Sequence, residues 1–278
     1  MELSLLPSGA TFEIISDMKP MRVLSCAVAV AFSLCAGVAS ARDRVVIVPA
    51  HPDDLIAALG FCHLARDVFE VHVVDLTHGE RGCGAEKFKN GWTKAKRTSE
   101  EQAVCDSVGA KLHGLDEVDG EAYARKETCE KLAALLKELQ PRAVIAHWPV
   151  DVHTDHVMAG AAAQRAIFLA GIRPEIYFME QTYQSKRFVP DILVDITPVY
   201  EKVRASLRLY ECQYRDGEIE RRRKESADFY GLHSGNYYGA KCEGFMTFVP
   251  PLNGAKTIFA ELPAASAANS GVPFQGVK

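Results

Sequence analysis

The sequence predicts an α/β fold in a single domain, with a mainly parallel sheet that helices cover on both faces. Short β-branched runs alternate with helical stretches along most of the chain, which is the pattern of strands joined by crossover helices. The 278 residues are 48% hydrophobic and 24% charged, which is enough material for one large core. No internal repeat and no linker-bounded second domain interrupts the alternation.

The individual elements follow from local periodicity and from helix-stopping residues. The helix predicted over 126–139, for example, stops before Pro141, because the residue ahead of a proline is disfavoured in helical conformation. The predicted strands are 44–49, 71–76, 143–148, 176–179, 191–196 and 244–249. The predicted helices are 55–66, 93–108, 126–139, 156–169 and 200–209.

The first 41 residues are predicted to be a secretory signal rather than part of the fold. Lys19 and Arg22 supply positive charge, residues 23–38 are apolar, and residues 39–41 read Ala-Ser-Ala, a small-residue cleavage pattern. The apolar stretch is shorter than the roughly 20 residues of a membrane-spanning helix. We therefore expect cleavage, no stable membrane insertion, and a periplasmic or extracellular protein.

The mature domain is predicted over residues 42–263. The residues before Met18 or Met21 lack the logic of a signal, and we interpret them as the product of an upstream start codon that the cell does not use. The tail over 264–278 is rich in Ala, Ser and Gly and is expected to be loose.

The charge pattern excludes some partner classes. A net charge of −4 provides no electrostatic footprint for nucleic acid or for an anionic membrane surface. The basic run over 221–224 is flanked by glutamates, so we interpret it as a solvated helix face. Oligomeric state is left open by the sequence.

Six of the eight cysteines remain after removal of the predicted signal, and none of them forms a C-x-x-C pair. This argues against a structural zinc cluster and against a thioredoxin-like redox site. In an oxidising compartment an even number permits disulfides, whereas buried free thiols are equally consistent with the sequence.

Two loops carry the residues of a hydrolytic metal site. Residues 50–54 read Ala-His-Pro-Asp-Asp after the first predicted strand, and residues 151–156 read Asp-Val-His-Thr-Asp-His after a later one. The carboxyl ends of parallel strands border one crevice, so the loops should meet. Two imidazoles and one carboxylate suit a catalytic zinc ion, and the candidates are His51, Asp54 and His156. The groups left for proton transfer are Asp53, His153 and Asp155.

Each loop taken singly has a simpler interpretation. Asp53 or Asp54 could merely cap the following helix, and Asp155 could be a favourable acid in a first helical turn. Because both loops carry His and Asp at equivalent positions of the sheet, we favour the metal site. The same ligand set also suits iron or another divalent metal.

The chain resembles the zinc-dependent N-acetylglucosaminyl deacetylases of the PIG-L or LmbE-like family, whose signature is an A-H-P-D-D loop and a later H-x-D-H. Residues 76–82 resemble the family's T-x-G-E-x-G loop, residues 97–100 have its R-x-x-E spacing, and residues 242–245 are like its late A-E-G-F. The resemblance implies a Rossmann-like, LmbE-like α/β domain. It assigns zinc to His51, Asp54 and His156, the general base to Asp53, and stabilisation of the transition state to His153.

The implied chemistry is hydrolysis of an acetamide by metal-activated water. Asp53 would accept the proton of the water and later pass it to the departing amine. His153 would stabilise the oxyanion in its protonated form, with Asp155 orienting the ring and favouring its charge. Arg81 is the candidate substrate-binding residue.

Three positions depart from the family pattern. Leu55 stands where Glu is usual, Gly60-Phe61 replaces a Gly-Gly pair, and His78 occupies a position that commonly holds Arg. We expect the metal site to be intact, since no ligand and no base is lost, and we expect the hydrogen bond that the usual Glu would make behind the ligands to be missing.

The sequence therefore predicts an exported zinc hydrolase that removes the acetyl group from an N-acetylated amino sugar, taking a small-molecule or glycan substrate. One alternative is a zinc amidohydrolase acting on a non-sugar amide or a thiol conjugate. Another is a catalytically lapsed glycan-binding protein, prompted by Leu55 and Phe61. A G-x-S-x-G elbow and a G-x-G-x-x-G loop are both absent from the sequence, which disfavours a serine hydrolase and a nucleotide cofactor.

Overall fold

Seven strands form one mixed sheet in the computed structural model, which describes residues 42–263 except 85, 86, 88 and 236–238. The order across the sheet is β3-β2-β1-β4-β5-β7-β6. Neighbours from β3 through β5 run parallel, and β7 is antiparallel to both β5 and β6, so the predicted mainly parallel sheet is confirmed. The strands are β1 (Arg44–Val48), β2 (Glu70–Thr77), β3 (Lys111–Glu117), β4 (Ala143–His147), β5 (Glu175–Met179), β6 (Ile192–Asp195) and β7 (Cys242–Val249).

Helices cover both faces of the sheet. They are α1 (Leu59–Ala65), α2 (Trp92–Val108), α3 (Lys126–Leu139), α4 (Thr154–Ala170), α5 (Tyr200–Leu207), α6 (Glu211–Tyr214) and α7 (Glu218–His233). One hydrophobic cluster joins α3 and α4 to the sheet, and a second cluster on the opposite face includes residues of α1, α2, α5 and α7. Among the described residues, none of the helices combines the length and the apolar character that a membrane span requires.

The central strand β1 is buried on both sides. Val45 and Ile47 belong to one cluster and Val46 and Val48 to the other, because successive side chains of a strand point to opposite faces. All four are fully buried. This double burial accounts for the continuous apolar run from which the sequence predicted the strand.

The fold opens a crevice between β1 and β4. These two strands are hydrogen-bonded neighbours, but the helices that follow them, α1 and α4, pack on opposite faces of the sheet. The connecting loops therefore diverge at the carboxyl ends of the strands, which is where open α/β sheets bind their ligands. The two motif loops border this crevice.

The helix predicted over 55–66 forms in two parts. Asp54–Ala58 is a 3₁₀ turn, and α1 begins only at Leu59. Asp53 precedes the turn with a left-handed φ of 99°, and its side chain makes no capping hydrogen bond. The capping interpretation of Asp53 is therefore wrong.

A buried glutamate attaches α1 to β7. The Glu243 carboxylate accepts hydrogen bonds from the backbone N–H groups of Gly60 and Phe61, both at 2.7 Å, and pairs with Arg223. A Cβ at position 60 would lie 2.5 Å from the Cγ2 atom of Ile196, so only glycine fits there. Glu243 thus accepts hydrogen bonds from backbone N–H groups in the first turn of α1, the helix that follows the Ala-His-Pro-Asp-Asp loop.

The interpretation of 221–224 as a solvated face is wrong for one residue. Arg221, Arg222 and Lys224 make exposed i,i+4 pairs along α7, as the flanking acids indicate. Arg223, in contrast, is 3% exposed and contacts Glu243. Arg223 is buried because it lies on the side of α7 that faces the sheet, whatever the charge of its neighbours in sequence.

Candidate metal and catalytic site

The three predicted metal ligands meet around one carboxylate oxygen. His51 Nδ1 lies 2.9 Å from Asp54 Oδ2, and His156 Nε2 lies 3.3 Å from the same oxygen. The backbone N–H of His51 also donates to this oxygen at 2.9 Å, which closes the Ala-His-Pro-Asp-Asp loop on itself. The crevice between β1 and β4 thus joins residues from two loops about a hundred positions apart.

The types of donor suit a divalent cation. Ligand atoms 2.0–2.1 Å from a tetrahedral zinc ion lie about 3.3 Å from one another, close to the two distances to Asp54 Oδ2. The three predicted ligands do not, however, form one of the groups whose ligand atoms all lie within 4.8 Å of one another. Each candidate histidine also faces a carboxylate with its other nitrogen: His51 Nε2 is 3.1 Å from Asp155 Oδ2, and His156 Nδ1 is 3.2 Å from Asp151 Oδ1. Such carboxylate partners fix the tautomer and orientation of metal-binding imidazoles.

Further polar residues support Asp54. Gln181, just beyond β5, donates to Asp54 Oδ1 at 2.6 Å. His147, the last residue of β4, is fully buried, lies 3.3 Å from Asp54 Oδ2 and stacks on the His156 ring with centroids 4.3 Å apart. Three overlapping groups have ligand atoms within 4.8 Å of one another: His51 with His153 and His156, Asp54 with His147 and His156, and His51 with Asp119 and Asp155.

Asp53 is held beside the ligands in a strained backbone conformation. A φ of 99° is rare for a residue with a Cβ and needs support from its surroundings. Two residues of α2 give that support. Glu101 accepts the Asp53 N–H at 3.1 Å, and Arg97 donates both to the Asp53 carboxylate and to the Pro52 carbonyl.

Burial makes Asp53 a suitable proton acceptor. Desolvation raises the pKa of Asp53 to about 6, with a further contribution from the charge of Asp54, while Arg97 opposes the shift. Burial likewise raises the pKa of Glu101 to about 7. A carboxylate with a pKa near neutrality both accepts and returns a proton readily.

His153 lies across the site from His51, with ring centroids 4.7 Å apart. Its Nδ1 accepts the backbone N–H of Asp155 at 3.3 Å at the start of α4. The neutral ring therefore carries its proton on Nε2. Burial, followed by the neighbouring His51 and His156, lowers the pKa of His153, which favours this neutral form over the imidazolium that the sequence predicted.

The role predicted for Asp155 needs correction. Its carboxylate does not orient His153; Oδ2 contacts His51 Nε2 and accepts the backbone N–H of Gly120 at 2.7 Å. Asp155 does lie in the first turn of α4 and is fully buried. It therefore contacts His51, a predicted ligand, rather than His153.

The site opens into a cavity of about 460 Å³. Its lining includes Asp53, His153 and four arginines, namely Arg81, Arg97, Arg215 and Arg222. No Phe, Tyr or Trp of the described part of the chain lines it. Trp148, which directly follows β4, packs on Phe178 and Phe188.

Arg81, the predicted substrate-binding residue, lines the cavity and also has partners in the protein. Its guanidinium donates to Glu121, and its backbone N–H donates to Asp119 Oδ2 at 2.9 Å. Asp119 in turn lies 3.3 Å from His51 Nε2 through its other oxygen. Arg81 therefore also connects the loop after β2 to a carboxylate beside the ligands.

Sequence reasoning assigned no role to several residues of this site. Asp119 and Gln181 lie in loops after β3 and β5, and no motif marks them. Arg97 could have been found from its R-x-x-E spacing, and His147 from its position just ahead of the second loop. Most of these residues lie at the edge of the sheet where the parallel strands end. That position identifies them as site residues only when the order of the strands in the sheet is known.

Comparison with protein families supports the resemblance. The model of the PIG-L family, described as GlcNAc-PI de-N-acetylase, matches residues 46–167. That range includes both motif loops. Among curated proteins, 4-oxalmesaconate hydratase from Pseudomonas putida KT2440 is 30% identical over 187 residues, covering 60% of this chain and 72% of that protein.

Solved structures share the fold. N,N'-diacetylchitobiose deacetylase from Pyrococcus horikoshii superposes with a TM-score of 0.64 at 25% identity, covering 74% of this chain and 84% of that one. The 4-carboxy-2-hydroxymuconate hydratase from Pseudomonas putida KT2440 gives 0.66 at 24% identity, covering 77% and 100%, a likeness of fold alone. Similar proteins therefore include both deacetylases and hydratases.

Proposed function

Because this chain belongs to the PIG-L (LmbE-like) family, we propose that it is a metal-dependent hydrolase that removes the acetyl group from an N-acetylated amino sugar. One observation carries the proposal. Two histidines, each facing a carboxylate, converge on Asp54 beside the half-buried acid Asp53, in an open cavity.

His51, Asp54 and His156 would hold the metal. When bound, a zinc ion lowers the pKa of water to about 7 and polarises the amide carbonyl. Asp155 would keep His51 in the required tautomer through its hydrogen bond at 3.1 Å, and Asp151 faces His156 Nδ1 at 3.2 Å without a hydrogen bond. Iron or another divalent ion suits the same donors.

Asp53 would hold and return the proton. The Arg97 guanidinium fixes its carboxylate, and burial keeps its affinity for protons high. It accepts a proton as water attacks the acyl carbon and passes that proton to the nitrogen of the leaving amine. His153 would donate its Nε2–H to the oxygen on which negative charge develops, a contribution typically worth about 10²- to 10³-fold in turnover.

Acetate release tests this proposal. The mature chain, loaded with zinc, is assayed against free and oligomeric N-acetylglucosamine, next to Asp53→Asn and Asp54→Asn variants. We expect release by the wild type alone, with metal content retained by Asp53→Asn and lost by Asp54→Asn. Zinc-loaded protein that releases no acetate from any sugar would contradict the proposal and favour a non-sugar amide or thiol conjugate.

A second candidate, hydration of a carboxylate-bearing substrate, is favoured by the arginines of the cavity. Arg215 is exposed there and forms no ion pair with any described residue. The curated relative that is 30% identical to this chain is likewise a hydratase, 4-oxalmesaconate hydratase. If this candidate holds, Arg215→Ala should raise KM for an unsaturated carboxylate at least tenfold while leaving acetate release from a neutral sugar unchanged.

The structure gives no support to the hypothesis of a catalytically lapsed glycan-binding protein. Leu55 and Phe61, the two departures that prompted it, are fully buried core residues and displace none of the candidate ligands. A glycan that binds to zinc-loaded protein but is never turned over would revive that hypothesis.

We also propose that the protein is exported, on the basis of the predicted signal over residues 1–41, which lies outside the described residues. Expression of the full chain in a bacterial host, followed by fractionation and intact-mass measurement, tests this. Periplasmic protein beginning at Arg42 is the expected result. Cytosolic protein that retains the first 41 residues would contradict it.

A further inference from the structure

Two cysteine side chains meet beside the catalytic cavity. Cys83, in the loop after β2, and Cys212, in α6, line one surface pocket. Burial, the Glu100 carboxylate and the neighbouring Cys83 thiol all raise the pKa of Cys212. Both cysteines are half-buried, whereas the remaining described cysteines are fully buried. Those buried cysteines are Cys62, Cys105, Cys129 and Cys242.

The pair lies on one wall of the catalytic cavity. The residues next to it, Gly82 and Gln213, line that cavity, and Gln213 Nε2 lies 3.4 Å from the Gly82 carbonyl and 4.0 Å from Cys83 Sγ. Two segments about 130 residues apart in sequence therefore meet here through a few weak polar contacts. A covalent link between the two segments would hold this side of the cavity in place.

We propose that Cys83 and Cys212 form a disulfide in the mature protein, joining the loop after β2 to α6 beside the catalytic cavity. The proposal needs an oxidising compartment and so rests on the proposed export. It is independent of the reaction that the site catalyses.

Cys212 has a proton acceptor at hydrogen-bonding distance, which it needs because burial and the Glu100 carboxylate raise the pKa of its thiol. Glu100 is buried, and its Oε2 accepts the Cys212 thiol proton at 3.0 Å while its Oε1 accepts the Cys212 backbone N–H at 3.1 Å. Lys96, 3.3 Å from Glu100, lines the same pocket and favours negative charge there. The pocket is open to solvent, so a donor molecule has access.

The reaction is an exchange with a low-molecular-weight or protein disulfide. The Cys83 thiolate attacks one sulfur of the donor and releases a first thiol. The Cys212 sulfur, having given its proton to Glu100, then attacks the Cys83 sulfur and releases the second thiol. The two cysteines together lose two protons and two electrons, and the donor disulfide takes up both to become two thiols.

Closing a loop of this length has a measurable effect on stability. Cross-links of long loops restrict the unfolded chain, and their typical contribution corresponds to a rise of about 5–15 °C in Tm for a domain of this size. We therefore expect dithiothreitol to lower the Tm of the oxidised wild type by that amount. Cys83→Ser should show no response to the reductant, whereas Cys129→Ala, a matched buried control, should keep the full response.

Peptide mapping identifies the link directly. Wild-type protein recovered without reductant from the periplasm is alkylated, digested without reduction and analysed by mass spectrometry, with a Cys83–Cys212 cross-linked peptide as the expected product. Reduced, purified protein equilibrated with oxidised glutathione is mapped in parallel, so that failed export is distinguished from failure of the disulfide itself. Alkylation of both thiols after that equilibration, or a link from Cys83 to any other cysteine, would overturn the proposal.

Discussion

Substitution of Arg97 tests most directly how the site holds Asp53. The side chain is 5% exposed and donates to three acceptors: the Asp53 carboxylate, the Pro52 carbonyl and, at 2.9 Å, the Gly79 carbonyl. Arg97→Met removes all three donors and leaves Asp53 without its cation. Arg97→Lys keeps the charge but loses the planar fork that reaches several acceptors at once.

The expected magnitudes differ between the two variants. Breaking a buried ion pair from one side costs about 3–5 kcal/mol, so Arg97→Met should lower Tm by about 6–15 °C. Arg97→Lys loses one or two hydrogen bonds from a charged donor, about 1.5–3 kcal/mol, and should lower Tm by about 3–10 °C. Turnover should fall about 10-fold in the lysine variant and about 100-fold in the methionine variant, because a displaced general base loses much of its 10²- to 10⁴-fold contribution.

Thermal unfolding and acetate release at saturating zinc measure both effects. Arg66→Met is the matched control, since the side chain of Arg66 is 44% exposed and its loss should change stability by less than about 0.5 kcal/mol. Wild-type turnover in Arg97→Met would refute the assignment of Arg97 as the residue that positions Asp53. Wild-type turnover in Arg97→Lys alone would mean that charge suffices and the fork does not matter.

Four further outcomes follow from the structure. Asp53→Asn should lower kcat about 10²- to 10⁴-fold while metal analysis finds the ion retained, whereas Asp54→Asn should lose the ion. Glu243→Gln leaves buried Arg223 without a counter-ion and should destabilise the protein by about 3–5 kcal/mol in denaturant unfolding; a change below 1 kcal/mol would contradict that role. Gly60→Ala should destabilise the folded protein by about 1–3 kcal/mol, because the new Cβ would lie 2.5 Å from the Ile196 side chain. This cost exceeds the helix preference of alanine over glycine, which is about 1 kcal/mol. Chelation of the metal should lower Tm and added zinc should restore it, since an ion that binds only the native state stabilises that state; an unchanged Tm would argue against the site.

The elements that the sequence predicted well are those whose signal is local. The strands β1 and β4 are continuous apolar runs buried on both faces, and α3 was predicted with its observed ends because a proline follows it. The meeting of His51, Asp54 and His156 was also predictable, since both loops follow parallel strands. Their neighbouring places in the sheet, however, came only from the structure.

Features that depend on tertiary partners were missed. The edge strand β3 contains exposed Lys, Gly and Asp residues and has no apolar alternation to mark it. Arg223 looks like its charged neighbours in sequence but turns inward to Glu243. The carboxylate of Asp155 was expected to contact His153, yet it contacts His51, 104 residues away, and no local pattern encodes such a contact.

The neighbouring positions of β1 and β4 have a kinetic consequence. His51 and Asp155 contact each other only when these two central strands are paired, and that pairing joins segments about a hundred residues apart. Contacts of such long range form slowly because the intervening chain must first be ordered. If the proposed metal site is correct, its two loops come together only after these strands pair, so the rate of metal binding by a refolding chain would report completion of the central sheet.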